Sequence, residues 1–594
     1  MKELTQKRIF ITGTACALLG AILLLIPAFQ NILLSLGEKI KGEPLVDSGS
    51  WIIQIIHSTS FCLIVYVIYS YIFFHKNELT EKICILLTFV ILAFFYVFHC
   101  TESSLWYDEG IEYWVSKSIS GIAYGNNIRN LPNMYERICC TIQPPFYNII
   151  MFLWLKICDT EFWFKFFSSI CFFIGSIAFY LTCREFSNKI ASCSFTLIFG
   201  LGQSFIFYAH EAAEYTCLFC FACWMILFFV RSTKSYSWKN LTLYFCFASL
   251  SLYSQYGACF IILGTGISLF IRALIPQNKE KIYKNLIRFL ILGCVALTVF
   301  VIPLFIFFMK RQLLSTIGRN SHHPTFEYGI ILIDYLMSFM LSNNFFFGKQ
   351  KTIILCIIAF IVFIHKISKK KFKSNLLYAT ILISVLISWT TYYIAVRFNI
   401  YKTSYTSGFG NRWGMAFCSI SGLLFSYSLT EFHSVLIKNC KLQKVLCSTT
   451  FLIFMFFTFI PLFGHAIKSH VREAYSFLKE NKSDTQLILV ERWYQPTVAF
   501  YITHDITSFS ENDVVYLKNH TEYESKQNLS KEFTQILKEK DITTFWYFGG
   551  SEPANKNNMI QAFFELDYEN VDEIKFDNFG DPTLIYFIKK KNLN

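Results

Sequence analysis

Between residues 8 and 464 the chain returns repeatedly to apolar runs of about 20 residues, the length at which a helix crosses ~30 Å of hydrocarbon. The plainest are 8–28, 51–74, 83–100, 286–309, 376–397 and 446–464, separated by short charged clusters. Inside hydrocarbon the backbone must satisfy its own polar groups, and runs of this length select helices. Composition agrees, with 16% of the 594 residues charged against about 25% in a soluble protein.

A net charge of +13 would suit a nucleic-acid partner, but the basic residues sit in short loops between apolar runs, where they set orientation in the membrane. No nucleic-acid partner is expected. Twenty cysteines suggest a disulfide framework until they are mapped, for all precede residue 448 and most lie in apolar runs, where Cys is a small buried hydrophobe. The N-terminal apolar run exceeds the ~7–15 residues of a signal core, and no clear small-x-small cleavage site follows it. It reads as a retained anchor.

Cytoplasmic loops are rich in Lys and Arg. The clearest are QNKEKIYKNLIR (277–288), HKISKKKFKSN (365–375), RSTKSYSWK (231–239) and HKNELTEK (75–82). Placing them inside gives about 13 spans, at 8–28, 51–74, 83–100, 163–183, 190–208, 214–230, 240–254, 256–273, 286–309, 352–365, 376–397, 412–430 and 446–464. The N-terminus is then cytoplasmic and the tail outside. Residues 146–157 are too short to span and are expected as a juxtamembrane helix at the outer surface. The polar YSQYG at 253–257 supplies the turn that divides 240–273. Three outer loops stand out, at 101–162, 310–351 and 398–411.

After residue 465 amphipathic stretches (VREAYSFLKENK, SKEFTQILKEKD, NKNNMIQAFFELDY) alternate with β-rich runs (QLILV, TTFWYF, TLIYFI). This pattern predicts a small α/β domain in water. The expected fold is therefore a polytopic α-helical membrane domain, 1–464, followed by a soluble extracytoplasmic α/β domain, 465–594. The tail has no phosphate-loop pattern; FGG at 548–550 is too short for one. It is assigned no catalysis, and is expected to cover the active-site face or meet the acceptor.

The first outer loop opens with SLWYDEGIEYW, which holds the adjacent carboxylates Asp108 and Glu109 among Trp106, Tyr107, Tyr113 and Trp114. An arbitrary acidic pair at a membrane boundary is usually just solvated. The aromatic flank suits an interfacial belt and a sugar-stacking surface equally, and long loops in compact proteins are often functional.

The stretch around Asp108-Glu109, then Pro144-Pro145-Phe146-Tyr147, then Glu211-Ala212-Ala213-Glu214-Tyr215, resembles the polyprenyl-phosphate-sugar-dependent glycosyltransferases of the C-type fold. It is most similar to glycosyltransferase family 39, the protein O-mannosyltransferases and lipid A aminoarabinose transferases. That family has an Asp-Glu pair, a Pro-Pro-x-Tyr segment and a Glu-Ala-Arg-x-Tyr motif. The likeness runs from about residue 83 onward and extends to the tail, which resembles the soluble domain ending many bacterial members. Two features depart from it: Ala213 replaces the motif's Arg, and helices 8–28 and 51–74 precede the usual first one.

The resemblance implies that Asp108 is the general base and that Glu109 orients it or contacts the acceptor. Sugar transfer from a lipid phosphate to a hydroxyl requires removal of the acceptor proton, which a carboxylate can take. One displacement would invert the anomeric centre, and no nucleophile constellation points to a covalent intermediate. Tyr147, Glu211 and Tyr215 are the candidate substrate-binding residues. Arg suits bidentate phosphate contact. Arg412 is the first choice for the donor phosphate, because the family often has Arg-Tyr where this chain has Arg412-Trp413. Lys310, Arg311 and Arg319 are second choices, each also readable as a snorkelling base at a helix end. His322-His323 lacks the spaced partners of a metal site. The acidic pair has the oxygen donors that suit a divalent cation, and the sequence leaves open whether it holds one.

The competing function is a polytopic transporter or lipid-linked-sugar flippase, but the charged candidates gather at the outer face and not at mid-membrane. A non-catalytic scaffold, in which the pair only stabilises its loop, is the third. The expected partners are a polyprenyl-phosphate-linked sugar and a lipid, glycan or protein acceptor. A Phe-, Ile- and Lys-rich chain with few Gly and Pro leans towards a bacterial inner membrane. An endoplasmic-reticulum location stays open; only there would the sequons at Asn481, Asn519 and Asn528 matter.

Overall fold

The computed structural model describes residues 78–117, 133–275, 279–312, 372–397, 415–436, 469–481, 487–504, 514–517, 526–539, 542–550, 561–576 and 583–590, less a few single positions, and parts of 59–67 and 361–365. The expected spans at 8–28 and 446–464, and most of 51–74 and 352–365, lie outside them. Among the described residues, the helices before the tail are α1 (Glu78–Val97), α2 (Tyr107–Lys117), α3 (Met134–Cys140), α4 (Phe146–Leu155), α5 (Glu161–Arg184) and α6 (Lys189–Gly200). They continue as α7 (Gln203–Ala209), α8 (Tyr215–Lys234), α9 (Trp238–Ser254), α10 (Ala258–Ala273), α11 (Glu280–Gln312), α12 (Phe372–Arg397) and α13 (Met415–Leu436). Among the described residues five helices are long and apolar enough to cross a membrane: α1, α5, α8, α11 and residues 376–395 of α12.

Two compact units divide the chain. The first takes in Met1–Phe98, Ser168–His210 and Glu214–His465; the second takes in His99–Phe167, Glu211–Ala213 and Ala466–Asn594. The second unit thus contains the tail together with residues 101–162, the segment expected as an outer loop.

The first unit is helical, and its apolar side chains both fill the interior and stand on the outside, as Leu86 and Phe94 of α1 and Ile287 and Leu290 of α11 do. Tyr96 of α1 hydrogen-bonds Ser176 Oγ of α5 (2.8 Å) and donates to the Gly200 carbonyl at the end of α6 (2.9 Å). Gly264 brings α10 directly against Ser384 and Ser388 of α12, the close approach small residues permit between membrane helices. One expected span differs: 190–208 is broken at Leu201–Gly202 into α6 and α7, because Gly200 and Gly202 flank a residue that leaves the helix. Helix α11 includes π turns at Leu297–Val301 and Phe305–Met309 on either side of Pro303, which has no N–H for the regular ladder.

In the second unit the tail forms helices α14 (Val471–Asn481), α15 (Gln495–His504) and α16 (Lys526–Glu539) around a five-stranded sheet. Its strands are β1 (Leu487–Val490), β2 (Val514–Tyr516), β3 (Thr544–Gly550), β4 (Tyr568–Phe576) and β5 (Thr583–Lys590), in the order β2-β1-β3-β5-β4. Strands β1, β2 and β3 are parallel, as helical crossovers require, while β5 runs antiparallel to β3 and β4. Leu487, Leu489, Phe545, Tyr547, Tyr586 and Ile588 line one face by strand alternation and form a core with Phe533 and Leu537 of α16.

Candidate active site

The Asp-Glu pair starts helix α2. Glu109 stands three residues after Trp106 and reaches back to its amide (Oε2, 3.2 Å), half of a capping box. Both acids lie in the first turn, where the helix's positive end favours carboxylates. Successive helical residues diverge by about 100°, and the two differ sharply in setting. Glu109 is 2% exposed, whereas Asp108 is half-buried.

Three chain segments meet on Glu109. Its Oε1 accepts the Ala212 amide at 2.8 Å, which joins the first expected motif to the third. Its Oε2 lies 3.7 Å from Lys165 Nζ, itself 1% exposed, and that ammonium donates to the Ser103 carbonyl at 2.7 Å. A buried carboxylate needs such partners, since an uncompensated buried charge is costly. Sequence reasoning missed Lys165. The signal was a lone cation just inside the apolar run of α5, which is by default a functional position.

The second motif meets the first through Asn148, next to Tyr147 on α4. Its Nδ2 donates to Glu112 Oε2 (2.6 Å) and Ser116 Oγ (3.2 Å), both on α2. Glu112 is one turn beyond Asp108 on the same helical face. Tyr147 is buried, with its ring edge-on to Phe167 at 6.1 Å. The short helix α3, capped by the Asn133 side chain on the Glu136 amide, carries a second cation missed in the sequence, the buried Arg137.

Tail residues pack against α2. Gly110 lies so close to Pro496 and Thr497 at the start of α15 that an added Cβ would sit 2.8 Å from Pro496 Cβ. Trp114 Nε1 donates to the Pro496 carbonyl at 2.8 Å, and the Tyr113 ring meets Phe500 edge-on at 4.7 Å. Further along, Tyr113 donates to Asp159 (3.0 Å to Oδ1), Lys117 pairs with Asp159 Oδ2, and His504 Nε2 stands 3.5 Å from that oxygen. Burial pushes the Tyr113 phenol up and the Lys117 ammonium down, the latter helped by Lys156.

The other expected residues distribute as follows. Glu211 is buried in the second unit, beside Ala212. Tyr215 belongs to the first unit, where it opens α8, is buried, and meets Tyr208 edge-on at 6.0 Å. Lys310 and Arg311 are exposed at the end of α11 in the first unit. Arg319, Arg412 and His322-His323 lie outside the described residues. Among the described residues no cluster of three His, Cys, Asp or Glu could hold a metal ion. FGG closes β3, with Gly549 under the Tyr547 ring.

Comparison with known proteins adds the class. The family profile described as dolichyl-phosphate-mannose-protein mannosyltransferase matches residues 142–306, which include the second and third motifs. ArnT from Cupriavidus metallidurans, in a crystal structure bound to undecaprenyl phosphate, aligns with 85% of this chain and 97% of its own at 12% identity and a TM-score of 0.50. Its apo structure aligns with the same figures. The oligosaccharyltransferase of Archaeoglobus fulgidus aligns with 78% of this chain and 69% of its own, at 10% identity and a TM-score of 0.44. A search of curated protein sequences gives no match. The fold is that of the C-type glycosyltransferases. Within that class, the chain resembles the membrane glycosyltransferases that use polyprenyl phosphate, the resemblance expected from its motifs.

Proposed function

We propose that the protein is an inverting glycosyltransferase that moves a hexosyl or pentosyl group from a polyprenyl-phosphate donor to a hydroxyl of a lipid, glycan or protein. The work is done at the extracytoplasmic face of a bacterial inner membrane, with the N-terminus in the cytoplasm. The observation that carries this proposal is the meeting of Ala212, Trp106 and Lys165 on Glu109, which fixes the first turn of α2 and leaves the neighbouring Asp108 half-exposed. Asp108 takes the proton as the acceptor oxygen attacks the anomeric carbon. The bond from that carbon to the phosphate oxygen breaks, and the lipid phosphate leaves with the electron pair. Glu109 serves as scaffold, with both its oxygens engaged. Arg137, buried on α3, joins Arg412 and Arg319 as a candidate for the leaving phosphate. Tyr147, Glu211 and Tyr215 complete the proposed substrate-binding set.

The test uses the full chain in nanodiscs with undecaprenyl-phosphate-linked glucose, mannose, galactose and arabinose, reading release of undecaprenyl phosphate in the presence of membrane extract as acceptor. Asp108→Asn should insert normally and lose ~10²–10⁴-fold in transfer, the usual contribution of a general base. Undiminished transfer by that variant would remove Asp108 from the chemistry.

A further inference from the structure

The five residues before Trp106 have no regular structure, yet most of the backbone polar groups the chain offers there are held. Arg472, in the first turn of α14, donates from Nη1 to the Thr101 carbonyl (2.9 Å) and from Nη2 to the Glu102 carbonyl (3.2 Å). Lys165 holds the Ser103 carbonyl. The Ser469 carbonyl accepts the Ser104 amide (3.1 Å) and hydroxyl (2.7 Å), and Ser469 Oγ donates to the Leu105 carbonyl (3.0 Å). The Leu105 amide donates to the Tyr501 hydroxyl at 2.9 Å, and the Trp106 amide is the one that reaches Glu109. Irregular backbone that leaves water needs such partners, and here, apart from Lys165, Glu109 and the Ser103 hydroxyl on the Ser104 carbonyl, they come from the tail.

Arg472 is itself fixed. Its Nη1 bonds Glu161 (3.2 and 3.3 Å), and its Nε and Nη2 bond Glu473 Oε1 (3.1 and 2.6 Å). Burial pushes the guanidinium down, but Glu161 and Glu473 more than offset this and leave its affinity for the proton raised. A planar, always-charged fork can span two successive carbonyls; an ammonium presents a single point.

We infer that Arg472 is a positioning residue for the base, clamping residues 101–102 so that the segment 101–106 delivers Asp108 to a fixed place, with Ser469 and Tyr501 completing the grip. The tail is then a structural half of the active site and not an appended cover. This rests on the proposed transferase role of Asp108.

The experiment compares the wild-type full chain in nanodiscs with Arg472→Met, Arg472→Lys and Tyr501→Phe. Two readouts are taken: hydrogen exchange of amides 101–110, and undecaprenyl phosphate release from the four undecaprenyl-phosphate sugars. Arg472→Met should exchange at least tenfold faster over 101–110 while β1 and β3 keep their protection. Its kcat should fall tenfold or more, with the donor KM changed less than threefold. Arg472→Lys should recover part of both, and Tyr501→Phe, which loses one hydroxyl and keeps its ring, should show the same split more weakly. Unchanged exchange over 101–110 in both Arg472→Met and Tyr501→Phe overturns the clamp. Faster exchange with unchanged kcat, or a loss confined to KM, overturns the positioning role. If the wild type transfers none of the four sugars, the transferase proposal fails on that arm, while the exchange arm still decides the clamp.

Discussion

Replacing Lys165 by Met takes the cation from a pair in which both members are almost completely buried and stand 3.7 Å apart. Removing one partner of a buried pair costs ~3–5 kcal/mol, because the other remains as an uncompensated charge. Here Glu109 would keep the Ala212 and Trp106 amides. The separation also exceeds a hydrogen bond, so the lower end, about 3 kcal/mol, is expected. At about 1.4 kcal/mol per tenfold, the locally opened population of residues 101–117 should rise roughly a hundredfold. Glu109→Gln should cost a similar amount, since Lys165 would keep only the Ser103 carbonyl. The two replaced together should cost well under the sum, with a coupling of about 2 kcal/mol, near the upper end for residues in contact. Hydrogen exchange of amides 101–117 in the full chain, with α8 and β3 as internal references, reads all three variants. Strict additivity, or single effects below about 0.5 kcal/mol, the range of an ordinary surface substitution, would refute the account of Glu109 as a charge-compensated scaffold.

Gly110→Ala must push Pro496 or Thr497 aside, since the new methyl would lie 2.8 Å from Pro496 Cβ. An overpacking cost of ~1–3 kcal/mol should appear in thermal unfolding and as joint loss of exchange protection in α2 and α15; an unchanged melting curve would mean the two do not pack. His504 titrates below its usual range because burial and the Lys117 ammonium disfavour its charge, against the opposing Phe500 carbonyl and Glu161. Asp159 also faces the ring but is already engaged by Lys117 and Tyr113. With the folded value lowered, the unfolded chain protonates first as pH falls. The stability linked to His504 is thus full above about 6.5 and is lost as pH drops through the lowered value. His504→Gln should flatten the acid-side loss of stability measured by denaturant unfolding at stepped pH; identical slopes would exclude the histidine.

What could be read in the sequence was local or periodic. Twenty-residue apolar runs mark α1, α5, α8 and α11, and the β-rich runs QLILV, TTFWYF and TLIYFI become β1, β3 and β5. Strands β2 and β4 went unread for opposite reasons. The first is only Val514–Tyr516, and the second, YENVDEIKF, is an edge strand whose exposed charges hide its pattern, as edge strands commonly require. The three motifs were visible as strings, but the bonds that join them were not. Glu109 to Lys165, Glu109 to Ala212 and Asn148 to Glu112 connect residues far apart in the chain, and no spacing rule foretells them. Distance along the chain hid the tail's part even more completely. Ser469 and Arg472 look like the plain start of an amphipathic helix until their bonds to residues 101–105 are seen.

The adjacency of Asp108 and Glu109 suggests one functional unit in sequence, and helix geometry argues for two. Neighbours on a helix diverge by about 100°, so the two carboxylates meet different surroundings, Glu109 buried and Asp108 half-buried. Glu109 turned inward becomes the point on which an amide of the third motif, a helix-capping amide and a buried ammonium converge. None of those contacts can loosen without leaving a buried charge short of partners, so the first turn of α2 is held from three directions at once. A base that must meet a lipid-borne sugar gains from this, because a small misplacement of the proton acceptor costs heavily in rate. The rigidity of Glu109 and the partial exposure of Asp108 are therefore two consequences of one choice of register. Moving the pair one residue further along the helix would put the proposed base in the buried place of Glu109 and its scaffold at position 110, against Pro496.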